Sequence, residues 1–166
     1  MQSEWEWPLV IRRYADGAVT TDVGSVLPLV HLPGSDTTVI LYRRASDRLW
    51  VRRTTGGGPL SAPEPVTERA VVQSAVDSDQ VGADAVAIDS TVHVLFIEAE
   101  TGRLYHTRSE GGGAWSSPTL QVDSADVQWV RGRPVSTGSS DSGAYGYVYD
   151  AGSSGGPGRT GTARCR

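Results

Sequence analysis

The stretch RLWVRRTTGGGPLSAP at residues 48–63 decides the fold, because it returns further along the chain as RLYHTRSEGGGAWSSP at residues 103–118. Each copy runs from Arg-Leu-aromatic through three glycines to a Leu/Trp-x-x-Pro sequence. Residues 5–8 (WEWP) repeat that last element upstream, and Pro8, Pro63 and Pro118 are evenly spaced. Self-similarity at a fixed period is typical of repeat proteins, in which each copy forms one supersecondary unit. The sequence therefore predicts tandem repeats of about 55 residues.

Counting from each Trp/Leu-x-x-Pro sequence gives three units, at residues 5–59, 60–114 and 115–166, within a single repeat domain over 1–166. The third unit is degraded. Residues 145–149 (YGYVY) stand about one repeat length after the VLF strand sequence of the second unit, and residues 151–161 are rich in Gly and Ser. The repeat is therefore strongest in the first two units.

Within a unit the periodicity is that of short strands. Residues 38–42 and 91–97 are nearly continuous β-branched, aliphatic and aromatic runs, a composition typical of strands covered on both faces. The strands expected from the whole pattern are residues 38–42, 48–52, 70–76, 82–88, 91–97 and 103–107. Four short strands per unit indicate an all-β fold of the β-propeller type, with tandem four-stranded blades and three repeats.

Three blades do not close a ring, because propellers use roughly four to eight. An N-terminal segment that completes the C-terminal blade would remove exposed strand edges. We therefore expect self-association of two chains into a six-bladed ring. The alternative is that these residues are a piece of a longer propeller.

Charge and hydropathy limit the partners. The chain has 15 basic residues, all arginine, and 19 acidic ones, and this mildly acidic balance disfavours nucleic acid. No apolar run approaches the length of a membrane-spanning helix, so no membrane partner is expected. The N-terminal residues do not resemble a signal peptide, and the compartment stays open, although a lectin-like role would place the protein outside the cell. The single Cys165 has no second cysteine for an internal disulfide.

The segment around the second triglycine resembles the Asp-box (BNR) repeat of sialidase-like propellers, S-x-D-x-G-x-x-W. Gly112 and Trp115 match, Glu110 replaces the Asp, and Arg108 occupies the Ser position beside Ser109. The resemblance implies a structural turn between the third and fourth strands of a blade. A sialidase would also need three arginines that grip a carboxylate, a Tyr–Glu pair and an Asp. The IRRY sequence of residues 11–14 does not match the Phe-Arg-Ile-Pro of that family.

The chain is also similar in architecture to propeller lectins, including the fungal fucose-binding type. That resemblance implies sugar sites between blades, with an aromatic face flanked by arginines. Trp50 and Tyr105 occupy equivalent repeat positions, and Trp129 is particular to the third unit. Packing between blades is the competing interpretation for each aromatic. The candidate ligand-binding residues are Trp50, Arg52, Arg48, Tyr105, Arg103, Arg108 and Trp129.

Neither catalytic residues nor a metal site is predicted, and no cofactor is expected. The three histidines lack the i, i+2 or i+4 spacing of metal ligands. The DSD sequence at residues 77–79 with Asp84 lacks the glycine turn of a calcium loop. Glu98 and Glu100 lie at a strand end, where exposed charge is the expected state.

Three functions remain open on the sequence alone. The first is a non-enzymatic, lectin-like propeller module with shallow glycan sites between blades. The second is a fragment or relative of a sialidase-like glycoside hydrolase. The third is a structural or protein-interaction scaffold. The equivalent aromatics and the lack of a catalytic set favour the first.

Overall fold

The computed structural model describes residues 23–44, 48–72, 82–123, 127, 129–135, 144–150 and 159–164. This part of the chain is all-β, with a single 3-10 turn at Pro33–Ser35. Sheet I contains β1 (Val23–Leu32), β2 (Thr37–Arg44), β3 (Arg48–Thr55) and β4 (Glu64–Ala70). Sheet II contains β5 (Ala83–Ile88), β6 (Thr91–Ile97), β7 (Leu104–Glu110) and β8 (Thr119–Val122). Sheet III contains β9 (Trp129–Val135), β10 (Ala144–Asp150) and β11 (Arg159–Arg164).

All three sheets are antiparallel, and in each the strands follow one another in sequence order. The hairpins predicted over residues 38–52 and 91–107 are confirmed as β2–β3 and β6–β7. The strand expected at residues 82–88 is confirmed as β5. No helix in the described segments is long and apolar enough to cross a bilayer.

The strand predicted at residues 70–76 overlaps the described chain only at residues 70–72, where Ala70 ends β4 and Val71 forms an isolated bridge with Glu98. The fourth strand of sheet I is Glu64–Ala70, which directly follows Pro63 and pairs with β3 through Trp50 and Val51. The turn after the triglycine returns the chain to sheet I by Glu64. The fourth strand therefore begins earlier in the sequence than the apolar residues that led to the prediction. Residues 73–76 lie outside the described part of the chain.

Each four-stranded sheet takes three strands from one sequence unit and its fourth from the next. The Leu60-x-x-Pro63 sequence lies between β3 and β4, and Trp115-x-x-Pro118 lies between β7 and β8. The boundaries of the units at 59/60 and 114/115 thus mark the sequence period and fall inside sheets. The division of the chain into those three units stays a prediction.

The two triglycine loops have the same structure. Gly56 and Gly57 have φ of 58° and 69°, and Gly111 and Gly112 have φ of 56° and 77°, a region that glycine adopts without strain. Thr54 Oγ1 donates to the carbonyl of Gly58 at 2.6 Å, and Ser109 Oγ donates to that of Gly113 at 2.7 Å. The amides of Ser61 and Ser116 each donate 2.8 Å bonds to the carbonyls of Arg53 and Arg108. One turn structure therefore underlies both copies of the repeat.

Sheet II lies between the other two sheets. Along β6, Val92, Val94 and Phe96 face sheet I, whereas Leu95 and Ile97 face sheet III. Every residue of Val92–Ile97 is buried, which confirms the prediction of a strand covered on both faces. The first strands of the sheets adjoin one another, since β1 contacts β5 and β5 contacts β9.

Hydrogen bonds tie neighbouring sheets together. The amide of Ala99, just after β6, donates to the carbonyl of Ala70 at 2.9 Å, and Val72 donates to Ile97 at 3.0 Å. Between sheets II and III, the amide of Gly132 donates to Oδ2 of the buried Asp84 at 2.8 Å. The stacking is therefore fixed by directional contacts as well as by apolar burial.

Gly82, directly before β5, has no room for a side chain. A Cβ there would lie 2.1 Å from the carbonyl oxygen of Val72, which is backbone and cannot rotate away. We expect Gly82→Ala to lower the free energy of unfolding by about 1–3 kcal/mol, as overpacking does. Urea denaturation measures this, with Gly34→Ala as the control because nothing lies within 4 Å of its Cβ position. Equal stability of the two variants would contradict the close approach.

Candidate functional site

A groove of about 500 Å³ opens between sheets I and II, and we call it the inter-sheet groove. One wall is residues 64–69 of β4, and the other is residues 114–118, which lead from the second triglycine towards β8. β4 is the outer edge strand of sheet I, whereas the sheets meet at their first strands. The groove therefore lies towards the outer rim, away from β1 and β5.

Trp115 forms the aromatic part of this groove. Its backbone forms an isolated bridge with Ser109, and its indole packs against the apolar cluster between sheets I and II while staying partly exposed. The guanidinium carbon of Arg53 lies 6.0 Å from the indole centroid, at the outer limit of a cation–π contact. The turn that begins at Gly111 thus places the indole of Trp115 in the groove.

Arg53 of β3 contacts two residues of the groove, Glu64 and Trp115. Its Nη1 donates to Oε2 of Glu64 at 2.5 Å, and its side chain is only 14% exposed. Arg53 Nε and Nη2 and Trp115 Nε1 are buried without a hydrogen-bond partner among the described residues. Buried donors of this kind are costly, so the contact between Arg53 and Trp115 beside the groove has unused hydrogen-bonding capacity.

A second polar cluster lies at the end of the groove, around Glu98. Arg69 of β4 donates to Oε1 of Glu98, and Thr101 Oγ1 donates to Oε2 at 2.5 Å. The guanidinium of Arg69 also lies 4.4 Å from the ring centroid of Tyr105, a cation–π contact between sheets I and II. The cluster therefore combines an aromatic ring, an arginine and a carboxylate from two sheets.

Charge compensation decides the ionisation of this cluster. Burial alone would raise the pKa of Glu98, but hydrogen bonds from Thr101 and Arg69 and the charge of Arg103 outweigh it, so the pKa is lowered. The hydrogen bond to Glu98 raises the pKa of Arg69. The expectation that Glu98 is exposed is wrong: Glu98 is 5% exposed, because Arg69 of the neighbouring sheet compensates its charge. Glu100 is exposed as expected.

The two equivalent aromatics, Trp50 and Tyr105, do not share a site. Tyr105 is 8% exposed, stacks on Phe96 at 5.8 Å and faces sheet I. Trp50 is partly exposed and lies on the face of sheet I that points away from sheet II, together with Arg52. Tyr105 thus lies between sheets I and II, whereas Trp50 lies on the opposite face of sheet I, and the role of each in binding stays a prediction.

Of the remaining candidates, Arg48, Arg103 and Trp129 lie at or next to the start of a strand, and Arg108 lies within β7. Arg48 pairs with Glu68 at 2.5 Å, and Arg103 pairs with Asp123 at 2.8 Å. Arg108 is exposed on β7. Trp129 is the first residue of β9 and lies opposite Asp150 in the ladder. Arg103, Arg108 and Trp129 belong to sheets II and III and are therefore in different sheets from Trp50.

Sequence reasoning missed the groove because its residues come from two repeats. Trp115 packs against the apolar cluster between sheets I and II and also lines the groove. The available signal was a difference between copies, since Trp115 stands where the first copy has Leu60. Glu64 and Arg69 of β4 also differ from the next copy, which has Thr119 and Ser124 at the corresponding positions.

Two histidines that looked isolated in sequence meet across β6 and β7. His93 Nδ1 and His106 Nε2 lie 3.1 Å apart, and the ring planes differ by 15°. Burial, and to a lesser degree the charge of Arg108, lowers the pKa of both to about 4, so both are neutral at pH 7. Within the described segments, no group of three or more His, Cys, Asp or Glu could hold a metal ion. The DSD sequence at residues 77–79 lies outside those segments.

Comparisons with known proteins add little. No protein-family model matches the sequence, and no curated protein matches it. Among solved structures, the catalytic domain of the GH62 α-L-arabinofuranosidase of Coprinopsis cinerea aligns with a TM-score of 0.45 and 11% identity, over 79% of this chain and 48% of that one. Puromycin hydrolase aligns with a TM-score of 0.41 and 16% identity, over 98% of this chain and 23% of that one. The chain thus spans about half and about a quarter of these proteins.

Removal of Arg69 tests the cluster around Glu98. We expect Arg69→Ala to lower the free energy of unfolding by about 1–3 kcal/mol, because it leaves a buried carboxylate without its cation, and the value is reduced by the 42% exposure of Arg69. Arg48→Ala is the matched control, since Arg48 and Glu68 are 45% and 74% exposed and such pairs contribute less than about 1 kcal/mol. Equal losses in urea denaturation would contradict the buried character of the Glu98 cluster.

The histidine pair predicts a pH dependence of stability. The unfolded chain binds protons at these histidines near pH 6.5, but the folded chain binds them only near pH 4. Protonation therefore favours unfolding between these values, and stability falls as the pH drops from about 6.5 towards 4. Urea midpoints at pH 7.5, 6 and 5 measure this. The double variant His93→Leu/His106→Leu should lose most of the slope, and an unchanged slope would assign the effect to other groups.

Proposed function

We propose that this protein is a non-enzymatic carbohydrate-binding module, and that it binds a glycan in the inter-sheet groove. The observation that carries the proposal is Trp115, a partly exposed indole in a groove between two stacked sheets, with Glu64 and Arg69 on the opposite wall. In this interpretation the sheets are blades of a β-propeller, and the repeated triglycine turn is a variant of the Asp-box turn.

The groove has the chemistry that a sugar requires. The apolar C–H face of a pyranose can stack on an indole, while its hydroxyl groups can bond to carboxylate oxygens and guanidinium N–H groups. Pro65 and Pro118 add apolar walls, and the hydroxyls of Ser116 and Ser117 lie on the Trp115 side. A site of this kind is shallow, which is typical of weak binding that depends on more than one contact.

Binding is favoured over hydrolysis by the pairing of the charged groups. Arg53 is paired with Glu64, Arg69 with Glu98, and Arg48 with Glu68. A sialidase-like site would need several guanidinium groups directed at the carboxylate of its substrate, whereas these three are each engaged by a carboxylate of the protein. This pairing of the arginines supports a surface that binds a glycan without hydrolysing it.

Self-association is part of the proposal. Two chains that form a six-bladed ring would display their grooves on one particle, so that weak sites act together through avidity. Light scattering on a sizing column should give a mass close to twice the monomer mass of 17.6 kDa. A folded monomer would leave the groove as a single weak site and would remove the ring from the proposal.

The variant that tests the groove is Trp115→Leu, which installs the residue found at the equivalent position of the first copy, Leu60, and so preserves an apolar contact. After a glycan array identifies a ligand, we expect this variant to bind it roughly tenfold or more weakly, because it loses the aromatic face. Titration calorimetry measures the affinity, and Trp50→Leu is the control.

Two results would count against the groove. Loss of binding in Trp50→Leu with none in Trp115→Leu would move the site to the opposite face of sheet I. Silence of the array with a well-folded protein would favour a protein-interaction scaffold, and release of a free sugar would favour the hydrolase.

A further inference from the structure

We propose that Arg53 is a positioning residue of the inter-sheet groove, which fixes the indole of Trp115 in the orientation in which a sugar could stack on it. The side chain of Arg53 extends from Glu64 in one wall of the groove to Trp115 in the other. This inference rests on the proposed function, because it names the residue that holds the aromatic face of the proposed site. The contact between Arg53 and Trp115 can nevertheless be tested without a ligand.

The backbone of Arg53 is held by the first triglycine turn. The amide of Ser61 donates to the carbonyl of Arg53 at 2.8 Å, and the amide of Arg53 donates to Ser61 Oγ at 3.0 Å. Side chains alternate between the faces of a strand, and Leu49 and Val51 of β3 belong to the apolar cluster between sheets I and II. Arg53 is two residues further along β3, so its side chain points towards sheet II.

The guanidinium group of Arg53 is bound to the first wall through one nitrogen. Arg53 Nη1 donates to Oε2 of Glu64 at 2.5 Å, and the two side chains are 14% and 40% exposed. Arg53 Nε and Nη2 have no hydrogen-bond partner among the described residues. Partly buried ion pairs are screened much less by salt than exposed ones. Among the described residues, the contact with Glu64 is therefore the polar interaction that orients this guanidinium.

The side chain of Arg53 also contacts the second triglycine turn. Its Cδ and Nε lie 3.8 Å from the position that a Cβ of Gly112 would occupy. Gly112 has a φ of 77°, a conformation that glycine adopts without strain. The guanidinium carbon lies 6.0 Å from the indole centroid of Trp115, which is three residues beyond Gly112. One side chain of sheet I thus contacts both the turn and the aromatic ring that the turn places in the groove.

The ring of Trp115 is oriented by packing. Its Nε1 is buried and has no hydrogen-bond partner in the part of the chain that the structure describes. The backbone of Trp115 forms a bridge with Ser109, but a backbone bridge does not fix the side-chain torsions of the residue. The indole is therefore held by the apolar cluster between sheets I and II and by Arg53. A guanidinium group is attracted to the face of an indole, so Arg53 holds the ring more firmly than an uncharged side chain would.

The second copy of the repeat keeps the backbone contact without the carboxylate. Arg108 is the counterpart of Arg53, and its amide and carbonyl bond to Ser116 in the same way. The side chain of Arg108 is exposed, and Thr119 stands at the position that corresponds to Glu64. The backbone contact therefore belongs to the common turn. The side-chain contact with a carboxylate is made by Arg53, beside the groove.

The experiment observes the ring of Trp115 directly, by fluorine NMR of the full chain labelled with fluorotryptophan. Each of the five tryptophans contributes one resonance, and the resonance that is absent from Trp115→Leu is that of Trp115. We expect Arg53→Met to shift this resonance more than that of any other tryptophan, because it removes the guanidinium and keeps an unbranched side chain. Arg108→Met is the matched control, because it removes the exposed arginine at the equivalent repeat position and should leave the Trp115 resonance in place.

Glu64→Gln is a second test that keeps the arginine. It removes the carboxylate that orients the guanidinium, so we expect a smaller shift of the Trp115 resonance in the same direction as in Arg53→Met. Glu64→Gln decides the question should Arg53→Met fail to fold. A Trp115 resonance that is unchanged in the folded variants would overturn the positioning role, and so would an equal shift in Arg108→Met.

Glycan binding is measured separately, by calorimetry with the glycan that the array identifies. We expect Arg53→Met to bind it roughly fivefold more weakly than the unmodified chain, and equal affinity would overturn the positioning role. A shifted Trp115 resonance with a silent array would support Arg53 as the residue that positions the indole and would count against the glycan site. An unchanged resonance with tight glycan binding would keep the site and exclude Arg53 from it, so the two failures are distinguishable.

Discussion

The structure depends on one constraint: sheet II must be covered on both faces. Strand β6 has no polar face to turn towards water, because Val94 and Phe96 point one way and Leu95 and Ile97 the other. Each such side chain contributes roughly 1.5–3 kcal/mol when it is fully buried. Sheets I and III are the two covers, and the contacts of their first strands with β5 bring them together. The groove exists because the same sheets leave a gap at the outer rim.

Apolar burial alone would let the sheets slide, since it is not directional. The polar groups buried at each interface remove that freedom. Arg43 Nε donates to the carbonyl of Val71 at 3.0 Å, Arg69 holds Glu98, and Asp84 accepts from the amide of Gly132. Each group would be costly without its partner, and its partner lies on a neighbouring segment or sheet. The way the sheets stack is therefore specified by polar contacts at a few positions where the copies of the repeat have different residues.

The sequence predicts what is local and repeated. The hairpins β2–β3 and β6–β7, the triglycine turns and the two-sided burial of β6 follow from runs of β-branched residues and glycines that recur at one fixed interval. What the sequence could not predict is the pairing between units. The contact of His93 with His106, the burial of Glu98 under Arg69, and the groove all require residues that are distant along the chain to be placed by pairing and stacking. The sequence did not predict β4 at its observed position for a related reason. Val66 and Thr67 alone are too short a run to show the period-two pattern of a strand.

Function is thus expected at the positions where the copies differ. The common turn is shared by both copies and serves the fold, whereas Trp115 replaces Leu60 and Glu64 stands where the next copy has Thr119. The chemistry of the inter-sheet groove is therefore not repeated by the residues that correspond to it in sheet II. A ring of two chains would carry two such grooves on opposite sides of its axis, rather than a site at every junction between blades. In the proposed ring, valency would be set by the number of chains, and binding strength would depend on assembly.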